Sequence, residues 1–286
     1  MSADHIAKRR QKFDVASAAL YALTVVLVVW AVGPFLWTLT SSLKTLGEIY
    51  RVPPTIVPLE PTLGNFAVIF ERLPFIRFFL NSVLVTVVTI VVTVALSVLT
   101  AYAFSRFRFP FRHLLLLGIL VPRIIPSITR VIPLYQLFQE IGILDNYLSI
   151  ILPYIADALP IAVWILIGFF DGIPKELEES AYIDGASRLM ALRKIIVPLA
   201  TPGIVSAALF TFLRAWNEFV LAFTFVGRGL MSTLPVAHYR VFEFFGIRQW
   251  GAINAFTILA VLPIIVFFLL FEKHISKTLV AGAVKG

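Results

Sequence analysis

Long apolar runs constrain the fold of this chain more than any other feature of its sequence. Hydrophobic residues make up 59% and charged residues 14%, against about 45–50% and about 25% in soluble domains. Six runs have roughly the 20 residues that a helix needs to cross a bilayer core: 15–37, 79–104, 113–138, 147–170, 202–226 and 252–271. The sequence therefore predicts an all-α integral membrane protein with six transmembrane helices.

The lysines and arginines outside these runs predict the orientation, because cytoplasmic loops carry an excess of positive charge. With the N-terminus inside the cell, fourteen lie on the cytoplasmic side and seven outside. This favours an N-in, C-in topology and explains the net charge of +8 without a nucleic-acid partner. One transmembrane domain, 1–286, then has the cytoplasmic segments 1–14, 171–199 and 272–286 and the outer segments 41–78 and 227–251.

The first run is expected to remain in the protein, because residues 15–37 exceed the apolar core of about 7–15 residues typical of a signal peptide. Prolines 122, 126 and 133 should kink the third span. In the outer segment 41–78, a proline-rich stretch should lead into a short helix. The outer loop 227–251 is aromatic and basic, which suits either a belt at the membrane interface or a contact surface for another protein.

The polar segment 171–198 separates the fourth and fifth spans and predicts two short helices. Asp171 can cap a first helix that carries Glu176 and Glu178 in its first turn, where acidic side chains suit the helix dipole. Gly185 can end this helix, and a second helix should extend to Pro198. Two helices that project from a membrane indicate a contact site for a protein outside it.

Within this segment, Glu179-Ser180-Ala181 is followed after three residues by Gly185 and after nine more by Ile195-Ile196-Val197-Pro198. This resembles the loop of ABC importer permeases, in which Glu-Ala-Ala and Gly precede Ile-x-Leu-Pro at the same spacing; only Ser180 and Val197 depart from it. In that family the loop is the coupling helix that docks on the ATPase. The alternative is an amphipathic loop on the membrane surface. The resemblance implies these ATPase-coupling residues: Glu179, Ser180, Ala181, Tyr182, Asp184, Gly185, Ile195 and Pro198.

Further stretches resemble the carbohydrate branch of this family, and in particular its smaller, maltose-type permease of the type I importer fold: 75–82, 133–135, 151–154, 168–174, 215–219 and 279–286. The resemblance implies a sugar permease subunit in the cytoplasmic membrane of a bacterium or archaeon. Its expected partners are a second permease, a cytoplasmic ATPase dimer, an external solute-binding protein and membrane lipid.

The sequence contains no Gly-x-x-x-x-Gly-Lys-Ser/Thr phosphate loop, so no nucleotide site is expected on this chain. ATP and Mg²⁺ would bind to the partner ATPase, and this chain would not be an enzyme. Its four histidines show no ligand spacing and predict no metal site.

Charged residues inside spans are costly and therefore candidates for function. Arg214 precedes Glu218 by one helical turn and is expected to pair with it. These groups can form a polar layer along a translocation path, or structural ion pairs between helices; both interpretations stay open. The predicted layer consists of Arg123, Arg130, Asp157, Arg214, Trp216, Asn217 and Glu218.

Two other classes of protein remain possible from the sequence alone. An ion-coupled secondary sugar carrier would use Asp157 and Glu218 as coupling groups. A membrane scaffold without transport activity would use the same residues only for packing. Neither class explains the 171–198 segment as well as the permease does.

Overall fold

A computed structural model describes residues 15–226, 229–245 and 249–283, with their side chains except at 15, 16, 122, 245 and 273–283. The basic N-terminus and the end of the predicted tail, 284–286, lie outside these residues. The helices are α1 (Val15–Ser42), α2 (Leu46–Ile49), α3 (Gly64–Arg72), α4 (Phe75–Arg106), α5 (Arg112–Leu120), α6 (Ser127–Glu140), α7 (Leu148–Asp171), α8 (Glu176–Ile183), α9 (Arg188–Leu199), α10 (Thr201–Trp216), α11 (Val220–Phe225), α12 (Leu234–Phe245) and α13 (Trp250–Ala283).

The fold is all-α, as predicted, and no strand occurs among the described residues. They form two compact units, one from residues of 1–69 and 247–258 and the other from residues of 70–246 and 259–286. Helices α1, α4, α7 and α13 are each long and apolar enough to cross a membrane. A fifth candidate is the pair α9 and α10, which is bent by 78°. The count of six crossing helices and the N-in orientation stay predictions.

The third and fifth predicted spans are not continuous helices. In the third, α5 ends at Leu120, a 3₁₀ turn follows, and α6 begins only after Pro126. Pro126 offers no N–H and holds Ile125 in an extended conformation, so the expected kink is a full interruption. In the fifth, α10 ends at Trp216 and α11 begins at Val220, a break that the sequence reasoning missed.

Helices α4, α7 and α10 pack against one another and form the core of the second unit. The buried face of α4 carries Thr86, Thr89, Thr93 and Ser97, whose small side chains allow neighbouring helices to approach closely. Gly203 of α10 is even more restricted, because a Cβ at this position would lie 2.4 Å from the ring of Phe169 on α7. This contact fixes α10 against α7 just beyond the bend after α9.

The predicted outer segment 41–78 contains the expected short helix, α3, and also α2, which was not predicted. Its intervening loop is held by the carboxylate of Glu48, which accepts hydrogen bonds from the Thr55 hydroxyl (2.6 Å) and the Leu59 N–H (2.9 Å). The hydrogen bond from Thr55 lowers the pKa of Glu48 below its ordinary value. The Asn65 amide donates to the carbonyls of Ser42 and Lys44, both at 2.8 Å.

The described part of the predicted outer loop 227–251 includes α12 and is anchored to the start of α4. The Asn81 amide donates to the carbonyls of Leu230 (2.7 Å) and Ser232 (2.9 Å). The Ser82 hydroxyl accepts from the Leu234 N–H at 2.7 Å, and therefore satisfies a free donor at the first turn of α12. Polar side chains of α4 thus set the position of this loop.

Candidate functional site

The first helix of the 171–198 segment begins later than the sequence predicted. Helix α7 runs through Asp171, whose carboxylate accepts a hydrogen bond from Ser105 at 2.5 Å, so the predicted cap at Asp171 is wrong. The N–H groups of Gly172 and Ile173 bond back to the last turn of α7, and α8 starts at Glu176. The acidic first turn of α8 is present as expected.

Gly185 ends α8 by a left-handed cap, as predicted. Its φ of +86° lies in the region that residues with a Cβ rarely occupy. The Gly185 N–H bonds to the carbonyl of Tyr182 (3.1 Å), and the Ala186 N–H bonds to that of Ala181 (2.9 Å). These two bonds form a Schellman motif. The glycine is therefore required for its backbone conformation, since a Cβ here would meet nothing within 4 Å.

The second helix, α9, begins with a cap that the sequence reasoning did not identify. The Ser187 hydroxyl accepts a hydrogen bond from the Met190 N–H at 3.3 Å. The helix contains a π turn at Leu192–Ile196 and then meets α10 at the bend near Ala200. Because of this 78° bend, α9 projects away from the axis of α10 instead of extending it.

The two helices present an apolar tip and an apolar base. At the tip, around the Gly185 turn, Ile183 is 87%, Leu189 68% and Met190 45% exposed. At the base, Leu192 and Ile196 are buried in a core cluster with residues of α4 and α7. Exposed apolar patches of this kind mark contact sites for another protein or for a membrane. Of the predicted coupling residues, Glu179, Ser180, Tyr182, Asp184, Gly185 and Pro198 are exposed, and Ala181 and Ile195 are half-buried.

A buried ion pair joins α8 to the end of α4. The Nε atom of Arg106 donates to Oε1 of Glu178, and the two side chains are only 8% and 4% exposed. Oε2 of Glu178 accepts from the hydroxyls of Tyr102 (2.8 Å) and Tyr182 (3.2 Å). We call Tyr102, Arg106, Glu178 and Tyr182 the base network.

The base network also includes a contact with the end of α7. Arg106 donates from Nη1 to the carbonyl of Phe170 (3.0 Å) and from Nη2 to that of Ile173 (3.1 Å). The guanidinium group therefore binds a carboxylate and two backbone carbonyls from different elements. A force applied to α8 would reach both α4 and α7 through this one side chain. From the sequence alone, Arg106 counts only as one of the fourteen lysines and arginines on the predicted cytoplasmic side.

The predicted polar layer is partly assembled around Asp157 of α7. Its carboxylate binds Nη1 of Arg130 at 2.6 Å, and its backbone carbonyl accepts from Nη1 of Arg123 at 2.7 Å. The Arg123 guanidinium also lies over the ring of Phe210, 5.4 Å from its centre, and Arg214 follows Phe210 by one turn of α10. We call Arg123, Arg130, Asp157 and Arg214 the arginine cluster.

Glu218 and Arg214 do not form the predicted ion pair. The Glu218 carboxylate accepts from the Tyr154 hydroxyl (2.6 Å) and from the N–H groups of Leu221 (2.9 Å) and Ala222 (3.1 Å). The reason is the end of α10 at Trp216, because Glu218 then leaves the helical face of Arg214 and caps α11 instead.

Trp216 and Asn217 are also placed by the structure. Trp216 is buried: its indole N–H donates to the carbonyl of Ala260 at 3.2 Å, and its ring stacks on Phe212. The side chain of Asn217 is exposed and donates to the Leu213 carbonyl at 2.8 Å. Neither side chain contacts the arginine cluster through a hydrogen bond in the described part of the chain.

Comparison with known proteins decides the family. Residues 93–280 match the model of the binding-protein-dependent transport system inner membrane component. The chain belongs to this family. It is a permease subunit of an ABC importer and a multi-pass protein of the cytoplasmic membrane, and it is not an enzyme, since permeases of this family have no nucleotide site of their own.

Relatives match the permease over nearly its whole length. It is 39% identical to the trehalose transport system permease protein SugB of Mycobacterium tuberculosis, over 94% of this chain and 98% of the relative. It is 34% identical to the sulfoquinovosyl glycerol transport system permease protein SmoH of Agrobacterium fabrum, over 91% of each chain. The trehalose/maltose transport system permease protein MalG of Thermococcus litoralis is 33% identical, over 92% of this chain and 94% of the relative.

A solved structure shares the fold of the permease. It is the crystal structure of a bacterial ABC transporter involved in the import of the acidic polysaccharide alginate, with a TM-score of 0.79 and 20% identity. The match covers 93% of this chain and 98% of the solved one. These findings support the predicted permease fold and do not favour the ion-coupled carrier. No group of three metal-ligating side chains occurs in the portion of the permease with described coordinates.

Proposed function

We propose that this permease is one of two membrane subunits of an ATP-driven sugar importer and contributes half of its translocation path. The names of its relatives support a sugar: trehalose, trehalose or maltose, and sulfoquinovosyl glycerol. These sugars include neutral and sulfonated ones. In this proposal the permease forms one domain with six crossing helices, N-in and C-in.

The observation that carries this proposal is the construction of α8 and α9. Their tip exposes Ile183, Leu189 and Met190 to solvent, whereas their base is tied into α4 and α7 by Arg106 and Glu178. A helix that only rests on the lipid surface would not need a buried ion pair that fixes it to the membrane helices. A helix that binds the ATPase and passes its movement to α4 and α7 would need such a connection.

We infer the following cycle for the importer. An ATPase dimer in the cytoplasm binds Mg²⁺ and ATP, grips the tip of α8 and α9, and moves both helices as one body when it closes. Because the base network joins α8 to α4 and α7, these helices move with it and open the path toward a loaded solute-binding protein. That protein would contact the predicted outer loop 227–251. Hydrolysis returns the permease to its starting state.

The translocation path in this proposal passes the arginine cluster and also Trp216, Asn217 and Glu218. The competing role for Arg130 and Asp157 is a structural lock between α6 and α7, since their ion pair joins these helices. Exchange of both charges in a double variant separates the two roles. Recovery of transport that each single exchange abolished would show a lock; continued loss would support the path.

Cysteine labelling tests the docking surface directly, because the chain has no cysteine of its own. In Ile183→Cys, an impermeant maleimide should react from the cytoplasmic side of inverted vesicles, and a crosslinker should join this site to the ATPase. Glu71→Cys on the exposed surface of α3 is the matched control and should react from the other side. Reaction of Ile183→Cys from outside intact cells would refute the proposal.

Purification in mild detergent tests the subunit composition. A tagged permease should bring with it a second permease and an ATPase, and it should bind a solute-binding protein in the presence of sugar. Purification of a functional transporter without an ATPase would contradict the proposal. The sugar that stabilises the solute-binding protein in a thermal-shift screen would then identify the substrate.

A further inference from the structure

The arginine cluster carries more positive charge than the ion pairs of the described residues compensate. Asp157 is its single carboxylate, and this group is bound to Arg130 at 2.6 Å. Arg123 donates to a backbone carbonyl and lies over an aromatic ring, and it forms no ion pair with a carboxylate among the described residues. Glu218 forms no ion pair with these arginines in the described residues; its two oxygens accept hydrogen bonds from Tyr154 and from the N–H groups at the start of α11.

Two guanidinium groups, those of Arg123 and Arg214, therefore have no carboxylate partner within the described residues. They belong to one region, because the ring of Phe210 beneath Arg123 lies one helical turn before Arg214 on α10. Charged groups at membrane depth are costly and occur where water, an ion or a substrate meets them. The Arg214 side chain is exposed, which leaves its donors available to such a group.

A second observation points to a missing acceptor. The Nε atom of Arg130 is buried and has no hydrogen-bond partner among the residues that the structure describes. Buried polar groups in proteins almost always have a partner, so each exception needs an explanation. Here the guanidinium group already binds Asp157 through Nη1, and an oxygen atom of a bound group would satisfy its Nε donor.

We infer that the arginine cluster is a subsite for the anionic group of the transported sugar, a carboxylate or a sulfonate. The planar forks of Arg123 and Arg214 match the oxygens of either group, and the charge-assisted bonds would be strengthened away from bulk water. Asp157 orients Arg130 and pairs with its charge, so that only the charges of Arg123 and Arg214 remain for the ligand. This inference rests on the proposed function, because it assigns the charge of the substrate that the importer carries.

Three sugars with the same glucose ring test the inference: glucose, glucuronate and 6-deoxy-6-sulfoglucose. They carry a neutral hydroxyl, a carboxylate and a sulfonate at C6, respectively. Their binding to the purified complex of all membrane and ATPase subunits is measured at low salt, both without nucleotide and with a non-hydrolysable ATP analogue. At least one acidic sugar should bind about tenfold more tightly than glucose in one of these states, equivalent to about 1.4 kcal/mol. The preference should shrink with added salt. The tighter of the two acids identifies the anionic group.

Substitutions then assign the preference to the cluster. Arg123→Gln and Arg214→Gln should each reduce the affinity for the acidic sugar toward that for glucose, whereas Arg123→Lys should retain part of the preference because it keeps the charge without the fork. Arg77→Gln removes an equivalent exposed charge at the start of α4 and should leave the preference intact. The melting temperature of each complex shows that it remains assembled.

The result that would overturn the inference is the lack of any preference for an acidic sugar in both nucleotide states, including a complete lack of binding. Equal effects of the arginine substitutions on glucose and on the acids would overturn it as well, since they would indicate a carboxylate of the second permease as the partner. The proposed function has a separate test in the same complex. ATP-dependent uptake of a neutral sugar would uphold that function while the inference failed.

Discussion

Glu178→Gln is the substitution that most directly tests how α8 is coupled to the membrane helices. The change removes one charge of a buried ion pair and leaves the size of the side chain unchanged. Its partner Arg106 is 8% exposed, so water cannot replace the lost carboxylate. Breaking one side of a buried pair typically costs about 3–5 kcal/mol. Gln can still accept from the hydroxyls of Tyr102 and Tyr182, so we expect the free energy that holds α8 against α4 and α7 to fall by about 3 kcal/mol. This equals about a hundredfold change in the equilibrium between packed and detached α8.

The assay is the ratio of sugar transported to ATP hydrolysed in proteoliposomes that contain the whole complex. Glu178→Gln should lower this ratio severalfold, because the ATPase would move α8 without moving α4 and α7. Glu176→Gln provides the matched control, since it removes an exposed acidic group from the same first turn of the same helix. It should leave the ratio within error of the unmodified permease.

A double-mutant cycle with Arg106→Met separates the ion pair from the other contacts of Arg106. Removing Arg106 also breaks its hydrogen bonds to the carbonyls of Phe170 and Ile173. The cost of these bonds is the same with and without Glu178, so it cancels in the cycle. The double variant should be less impaired than the sum of the single variants predicts, by at least about 1 kcal/mol in stability. Additive effects, or a Glu178→Gln variant that matches the Glu176→Gln control, would refute the coupling role of this pair.

Three further predictions follow from single side chains or single glycines. Gly185→Val should uncouple ATP hydrolysis from uptake, because the left-handed φ costs residues with a Cβ about 1–2 kcal/mol; Gly185→Asn should be tolerated much better, and equal transport by both variants would contradict this reason. Gly203→Ala should lower the melting temperature of the complex, because the new Cβ would overlap the ring of Phe169; an unchanged melting temperature would show that the helices can separate at no cost. The hydrogen bond from Thr55 keeps the pKa of Glu48 below its ordinary value of 4.5, so its contribution to stability should be complete above about pH 4.5 and decline as the pH falls below it. Hydrogen exchange of the 44–59 loop at pH 6 and pH 4 should show this decline, and Glu48→Gln should abolish the difference.

Features encoded by short stretches of sequence were predictable. The spans that form α1, α4, α7 and α13 follow from apolar length alone, because a bilayer core fixes the number of residues required. The end of α8 at Gly185 was also predictable, since only glycine adopts a left-handed cap at little cost. Each of these features depends on about twenty consecutive residues or fewer.

Contacts between distant residues were not predictable from the sequence. Arg106 and Glu178 are 72 positions apart and each looks like an ordinary surface charge, so nothing local indicates that they are buried together. The cap at Asp171 failed for a related reason. Asp171 suits a helix start, but the continuation of α7 and the hydrogen bond from Ser105 determine its actual role.

The breaks in the third and fifth predicted spans and the charges beside them explain one another. A helix that ends at membrane depth exposes donors and acceptors that lipid cannot satisfy, so such an end needs polar side chains. After the break at Trp216, Glu218 supplies acceptors for the N–H groups of Leu221 and Ala222. After the break at Leu120, Arg123 reaches the backbone of α7. Glu218 thus satisfies donors that one break exposes, and Arg123 connects the other broken span to α7. We therefore expect Glu218→Leu to destabilise α11 as well as to impair transport, and an intact α11 in that variant, measured by hydrogen exchange, would break this link.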